Sequence, residues 1–338
     1  MLDLARYLPN APDEDRFAKY YDRNPHGQAA LWLACESESG RVVGMAGLLT
    51  GHLQIDGQPV PVAVGADFAI EPEHRGLGPA LTLQRSQLAD LGERGLLFAY
   101  GCPNADSEPI VKRVGYRSVG ELTRFVKVLR SRHFVDRLVP DRRLARSLGR
   151  ALALIVHPLL QLRLRERRAR RGQRLSVLMP PAFDERFARV WASLAQQHRI
   201  TGDRTVELLN WRYDFDRDGA SEYSIFAVAD GTQVSGYLVY RTSNEIRHVF
   251  DLACLDSRPV IDTLLTEFLA DARAERVVGI SFRCLGPRTL LTERLRHFGF
   301  LARDEDTRLH VYRAPAGPSA IDVLDRGNWY FVMGDSDL

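Results

Sequence analysis

The sequence predicts a mixed α/β protein made of two similar domains in tandem. Three observations carry this. Short period-2 apolar runs alternate with helical patterns. The second half of the chain echoes the first. A glycine-rich stretch stands where a strand passes into a helix. The chain has 338 residues, a length that suits two domains better than one. With 45% hydrophobic and 26% charged residues it has the make-up of a folded globular chain, and its net charge of +3 gives no reason to expect a nucleic-acid partner. Cys35, Cys102, Cys254 and Cys284 are far apart and form no CxxC pair, so zinc and redox-motif readings lack support. The opening "MLDLARYLPN" lacks the apolar run of a secretory signal. A reduced, cytoplasmic protein is therefore expected.

Taken in order, "ALWLACE" and "RVVGMAGLL" read as strands joined by the polar turn "SESG". "PVAVGADFAI" is a third strand and ends just before the glycine loop. "PALTLQRSQLADLGERG" follows as a helix, with Leu81, Leu88 and Leu91 on one face and Gly95 past its end. Strand "LLFAYG", short helix "SEPIVKRVG" and strand "ELTRFVKVL" complete the first half. The second half runs through helix "FDERFARVWASLAQQH", strands "YSIFAVA", "VSGYLVYR" and "RHVFDLAC", helix "VIDTLLTEFLADARAE", strand "VVGISFR", helix "TLLTERLRHFG" and strand "LHVYRA".

The echo has a register. At an offset of 192, Tyr21, Asp22, Gly27 and Gly44 fall on Tyr213, Asp214, Gly219 and Gly236. Farther on the offset is 184, and Asp67, Ala69, Gly115 and Tyr116 fall on Asp251, Ala253, Gly299 and Phe300. The eight residues lost lie where the first half has the longer hairpin "TGHLQIDGQPV". The expected bounds are 1–130 for the first domain, 131–175 for a linker and 176–338 for the second. From Arg137 to Leu175 the linker holds 12 Arg against Asp141 and Glu166, a local charge of +10. Its apolar stretch "ALALIVHPLLQL" is too short to span a bilayer and is interrupted by Pro158. Two readings stay open for it: a packed helical linker, or a peripheral contact with an anionic membrane face.

Phosphate bound at a strand-to-helix junction needs backbone N–H groups without side chains in the way, and it gains from the positive end of the helix dipole. The run Arg75-Gly76-Leu77-Gly78-Pro79-Ala80 offers both. Pro79 suits the first helical position but removes one donor. The Walker pattern is absent, since no GK[ST] follows, and the third glycine of the dinucleotide-binding pattern is missing.

The pattern R-x-x-G-x-A after "DFAIEP", followed by "YGCPN" and "VKRVGY", resembles the GCN5-related N-acetyltransferase (GNAT) superfamily. The resemblance implies an α/β fold (α+β mixed sheet) of two tandem GNAT-like domains joined by a basic helical linker. It further implies an acyl-CoA-dependent N-acyltransferase using acetyl-CoA, with a small-molecule amine as acceptor and no metal. Coenzyme A would contact Phe68, Ala69 and Ile70 on the strand, Arg75, Gly76, Leu77, Gly78 and Ala80 in the loop, and Asn104 after the next strand. Asn104 in "PN" also reads as ordinary turn chemistry. At the position where many members carry a tyrosine acid, this chain has Val111, and the second half has Leu295. The strings "YYDRNP", "LLNWRY" and "WYFVMGDSDL" look like bacterial tandem proteins of polysaccharide biosynthesis, which implies an amino-sugar acceptor.

Asp67 beside the loop is a candidate general base. Its recurrence as Asp251 equally fits a residue that fixes the fold. Tyr100 is a candidate acid, with Tyr116 and Cys102 behind it. At offset 184 the glycine loop falls on "PVIDTL", which has no glycine and carries Asp262, so one coenzyme A site per chain is expected. The nine histidines show no metal spacing, and the terminal "DSD" reads as a solvated or docked tail. Competing readings are a non-catalytic acyl-CoA-binding or scaffold protein, and a FemAB-like aminoacyl transferase using charged transfer RNA.

Overall fold

The computed structural model describes residues 14–130, 175–215, 221–285, 289–314 and 322–336. In chain order it begins with α1 (Glu14–Phe17), which runs into a π-helical turn (Ala18–Asp22). Strands β1 (Ala30–Cys35), β2 (Val42–Ile55) and β3 (Gln58–Ile70) follow, then α2 (Leu77–Ala89), β4 (Phe98–Gly101), α3 (Glu108–Arg113) and β5 (Arg117–Val128). Next come β6 (Ser176–Leu178), α4 (Ala188–Gln197), β7 (Ile200–Gly202) and α5 (Val206–Arg212). The chain continues through β8 (Ser224–Asp230), β9 (Gln233–Ser243), β10 (Ile246–Cys254), α6 (Arg258–Ala274), β11 (Gly279–Leu285), α7 (Leu290–His297), β12 (Leu301–Arg313) and β13 (Trp329–Val332). The basic stretch 137–174, with its expected membrane or linker role, lies outside the described residues. Among the described residues no helix is long and apolar enough to cross a membrane.

Two compact units form. One comprises Met1–Leu122, His198–Asp203 and Glu305–Leu338, the other Thr123–Gln197 and Arg204–Asp304. They differ from the linear bounds 1–130 and 176–338 because the closing strands are exchanged. The end of β5 pairs with β11, from Cys284↔Thr123 to Gly279↔Val128. The end of β12 pairs with β4, from Arg313↔Phe98 to His310↔Gly101. β5 and β12 are the strands that correspond at offset 184, so each sequence half supplies the last strand of the other half's sheet.

In the first unit the strands run β13-β7-β2-β3-β4-β12, with β1 also on β2. The long β2–β3 hairpin turns at Asp56 and Gly57, both at positive φ, the pairing a two-residue hairpin with Asp-Gly favours. Its extension beyond the second-half hairpin gives β7 an edge: Leu53, Gln54 and Ile55 pair with Gly202, Thr201 and Ile200. One face of the sheet packs Leu48, Ala63 and Ala99 against Leu88, Leu91, Leu96 and Tyr116. Nearer the loop, Ala46 and Ile70 pack against Ala80 and Leu83 of α2. The other face carries Tyr100, which meets Trp329 and Phe331 edge-on.

In the second unit β5-β11-β10-β9-β8-β6 form the sheet, with α6 packed on it. The sequence repeat reappears as packing. A Cβ added to Gly44 would lie 2.9 Å from Ile70 Cδ1 and 3.5 Å from the Ala69 carbonyl. One added to Gly236 would lie 2.9 Å from Cys254 Cβ and 3.5 Å from the Ala253 carbonyl. Both halves therefore keep glycine where the two hairpin strands lie too close for a side chain.

β2 and β3 slip register between Met45↔Ala69 and Gly47↔Ala66, leaving a bulge at Asp67. Asp67 sits there at φ 48, a left-handed conformation that Asp tolerates better than most residues. A Cβ on Gly47 would fall 2.0 Å from the Tyr21 hydroxyl, which itself bonds Asp67. Gly47→Ala should therefore push Tyr21 off Asp67 and lower unfolding stability by about 1–3 kcal/mol in urea titration. Gly92→Ala, where an added Cβ meets nothing within 4 Å, should leave the midpoint nearly unchanged.

Candidate active site

The loop after β3 is built by its own backbone. Glu71 N–H donates to the Val43 carbonyl at 2.9 Å, and a single 3-10 turn (Pro72–His74) reverses the chain. Arg75 Nε donates back to the Ile70 carbonyl at 3.2 Å, pinning the end of the loop to the end of the strand. Gly76 N–H donates to the His74 carbonyl at 2.7 Å. Gly76 is the N-cap of α2, with extended backbone and no side-chain cap. The helix thus starts at Leu77, two residues before Pro79, so Pro79 is its third residue rather than its first.

This changes the donor count. The first turn of a helix leaves N–H groups without intrahelical partners. Gly76 has spent its N–H on His74 and Pro79 has none, which leaves Leu77 and Gly78 as the first-turn donors. A Cβ on Gly78 would meet nothing within 4 Å, and one on Gly76 only Pro79 Cδ at 4.0 Å. Internal packing does not demand these glycines; they keep the approach to the amides clear. Ala80 is only 2% exposed in the sheet-facing core, so its small side chain seats the helix on the sheet. Close by, Arg41 Nη1 pairs with Glu71 at 2.7 Å, and His74 lies 3.3 Å from the same carboxylate, which offsets its charge near the loop.

Beside the loop, β3 presents an open edge. Its ladder with β4 is two pairs long, Ala63↔Ala99 and Val64↔Tyr100. Next come Gly65 and Gly101, where a Cβ on Gly101 would meet the Gly65 carbonyl at 3.6 Å, an ordinary contact. β4 then ends, while β3 runs on to Ile70, paired on its other side with β2. Among the described residues the far edge from Ala66 to Ile70 has no strand partner. Such an edge can pair with an extended amide-bearing ligand as an added strand would. Ala69 and Phe68 of this stretch pack inward, against Met45 and against the Ala46–Ile70–Ala80–Leu83 cluster respectively, so only their backbone faces the edge.

The proposed acid–base residues lie at the inner end of this edge. Asp67 is buried, and both its oxygens are engaged: Oδ1 accepts from Arg16 Nη1 at 3.0 Å and Oδ2 from the Tyr21 hydroxyl at 2.9 Å. In the second half, Asp251 likewise accepts from its own arginine, Arg204 Nε at 3.1 Å, and both are almost fully buried. Tyr100 shares a sheet face with Tyr21 and Asp67, by strand alternation and the Val64↔Tyr100 pairing. Its hydroxyl donates to the Asp335 carbonyl at 3.0 Å. Asp335 uses its own carboxylate to accept from Val332 N–H at 2.8 Å, so this part of the terminal "DSD" is a docked cap. Among the described residues no three His, Cys, Asp or Glu side chains are grouped to hold a metal.

Asn104 Oδ1 accepts from the amides of Asp106 and Ser107 at 3.1 and 2.9 Å, an Asx turn that starts α3. Its carbonyl is used in that turn, and Nδ2 is the end that can serve a ligand. Val111 packs against the core cluster that holds Leu88 and Tyr116. Burial, helped by the neighbouring Tyr312, raises the Tyr116 phenol above its ordinary pKa and suits it to the core. Sequence reasoning missed the partners Arg16, Tyr21 and the Asp335 carbonyl, and also a His26 Nε2–Asp203 Oδ2 contact of 2.9 Å with His52 edge-on to His26 at 4.4 Å. Burial first, then the His26 charge, lowers the His52 pKa. The partners in these contacts stand up to 235 positions apart, beyond any local pattern.

In the second half the loop position is the first turn of α6. Val260, Ile261 and Leu264 are buried there, and Arg294 holds Asp262 through both carboxylate oxygens. No glycine stands at this position.

Residues 2–119 match the model of an acetyltransferase (GNAT) domain. No curated protein matches the chain. Among solved structures it is similar to a GCN5-related N-acetyltransferase from Anabaena variabilis, with 15% identity and a TM-score of 0.63 over 93% of this chain and 69% of that one. It is similar at 14% identity and a TM-score of 0.62, with the same coverage, to an Enterococcus faecalis protein described as a probable N-acyltransferase. A GCN5-related N-acetyltransferase from Kribbella flavida gives 18% identity and a TM-score of 0.53 over 81% of this chain and 58% of that one. At these identities the structural likeness speaks for the fold. The chain thus has the fold of the GNAT N-acetyltransferases, and its residues 2–119 match the acetyltransferase (GNAT) domain model.

Proposed function

We propose that the chain transfers an acetyl group from acetyl-CoA to a primary amine, with one donor site per chain, in the first half. One observation carries this reading: the open edge of β3 from Ala66 to Ile70 leads directly to the unobstructed amides of Leu77 and Gly78. The edge suits the amides of the pantetheine arm, and the helix start suits the pyrophosphate. Asn104 follows β4, and its Nδ2 is the atom proposed to meet the pantetheine arm.

In the reaction the neutral amine attacks the thioester carbonyl, the C–S bond breaks, and the coenzyme leaves as a thiolate that takes up a proton while the amine loses one. Holding the amine against the carbonyl supplies much of the rate. With both oxygens engaged, Asp67 fits a role in holding the bulge rather than in taking the amine proton, which passes to solvent. Tyr100, one residue before β4 parts from β3, is the candidate donor to the leaving thiolate, a role that requires its hydroxyl to leave the Asp335 carbonyl it bonds at 3.0 Å. An amino sugar of a surface-polysaccharide precursor is the acceptor class the sequence resemblance favours.

Gly78→Glu puts a side chain and a negative charge over the two free amides. Calorimetry should show one coenzyme A site per wild-type chain and none in this variant; wild-type affinity in the variant, or two equal sites, would refute the assignment. Turnover with a panel of primary amines that includes amino sugars tests the reaction itself.

Asp67→Asn should lower the unfolding midpoint yet keep turnover within a few-fold of wild type where the protein is folded. A stable variant slowed by ~10²-fold would instead make Asp67 the base. Tyr100→Phe should lower kcat by ~10²-fold with little change in KM for acetyl-CoA; unchanged kcat would remove Tyr100 from the chemistry.

A further inference from the structure

The turn after the π-helical segment that carries Tyr21 is fixed by an asparagine and a histidine. Asn24 is buried; its Nδ2 donates to the Thr50 carbonyl of β2 at 2.8 Å, and its Oδ1 accepts from His26 N–H at 3.0 Å. Gly27 N–H closes the turn on the Asn24 carbonyl at 3.0 Å, with Gly27 at φ 116. His26 Nε2 lies 2.9 Å from Asp203 Oδ2, and the two side chains are only 10% and 9% exposed. His52 of β2 completes the cluster. Its ring meets His26 edge-on at 4.4 Å, and its carbonyl accepts from Asp203 N–H at 3.2 Å. The 24–28 turn, the outer part of β2 and the residue after β7 thus meet at two imidazoles and one carboxylate.

Other charged side chains around the cluster have contacts of their own. Asp56 and Arg199 pair at 2.8 Å at the hairpin tip, Arg23 donates to the Asp15 carbonyl at 3.4 Å, and Arg204 bonds Asp251. Pro61, opposite His52 on β3, carries no charge. The charges that act on His52 are those of His26 and Asp203; burial first, then His26, outweigh Asp203 and lower its pKa. One carboxylate neutralises one imidazolium. A second proton puts like charges on two rings 4.4 Å apart, partly out of water, where repulsion is strong. Because its pKa is lowered in the fold, His52 contributes stability that is whole above the ordinary value of about 6.5 and is lost as pH falls below it.

We propose that His26, His52 and Asp203 form an acid-sensitive latch: mild acidification opens the 24–28 turn, frees Asn24, and so loosens the grip of Arg16 and Tyr21 on Asp67. The link is short. Asn24 spends one end of its side chain on Thr50 and the other on His26, and Tyr21, just ahead of it, donates to Asp67 Oδ2 at 2.9 Å. The latch belongs to the fold of the first unit and does not depend on the acetyl-CoA reading.

Amide hydrogen exchange on the full chain at about pH 7.5 and about pH 5.5, either side of the ordinary histidine pKa and corrected for the intrinsic pH dependence, tests it. Protection at His26, Gly27 and Asp203, and at residues 66–68 around the bulge, should fall by about five- to tenfold at the lower pH, the range open to one added proton. Residues 249–253 of β10 should keep theirs. His52→Phe keeps a ring against His26 without a proton site and should cut the fall to about twofold or less; should that variant not fold, His52→Gln makes the same test. Equal protection at the two pH values, the same fall in residues 249–253, or an undiminished fall in the His52 variant would overturn the latch. A fall confined to His26, Gly27 and Asp203 would overturn its link to Asp67.

Discussion

The bulge at Asp67 is the constraint on which the candidate site depends. One extra residue in β3, in left-handed backbone, shifts the register against β2 and turns the end of the strand toward the loop. That conformation costs energy and persists only where the surroundings hold it. Here the holders are Arg16 and Tyr21, which reach in from the first helix and its π-helical turn to take one carboxylate oxygen each. Gly47 opposite has no side chain because the Tyr21 hydroxyl occupies that space. This anchor sets the parting of β3 from β4 after Gly65 and Gly101, the open edge to Ile70, and the placement of the helix start beside it.

Much of this was legible in the sequence because it is local. Alternation marked the strands, and glycine at 76 and 78 after an apolar strand marked an anion-compatible turn. The offset pairs Gly44/Gly236 and Asp67/Asp251 marked positions whose packing recurs: two glycines against alanine carbonyls and two buried aspartates each with an arginine. The features that were not legible are non-local. The exchange of β5 and β12 leaves the linear repeat untouched, since either pairing uses the same hydrophobic strands. The start of α2 at Leu77 comes from the Gly76–His74 turn, which pulls the helix two residues ahead of Pro79. The aromatic run at 329–331 shows its place only once Tyr100 meets Trp329 and Phe331 and bonds the Asp335 carbonyl.

The two halves share a hairpin and diverge immediately after it. After β3 comes an open glycine turn; after β10 comes a helix whose first turn is filled by Val260, Ile261 and an aspartate clamped by Arg294. The first case leaves two amides without side chains in the way, and the second places buried Val260 and Ile261 and a clamped carboxylate at the corresponding positions.

In the proposed reaction the donor lies along the β3 edge and caps the start of α2. Amide hydrogen exchange with and without coenzyme A tests it most directly. The account predicts slowed exchange within residues 66–70 and at Leu77 and Gly78, with residues 258–264 unchanged. Slowed exchange in 258–264, or none in 66–78 at saturating coenzyme A, would contradict it.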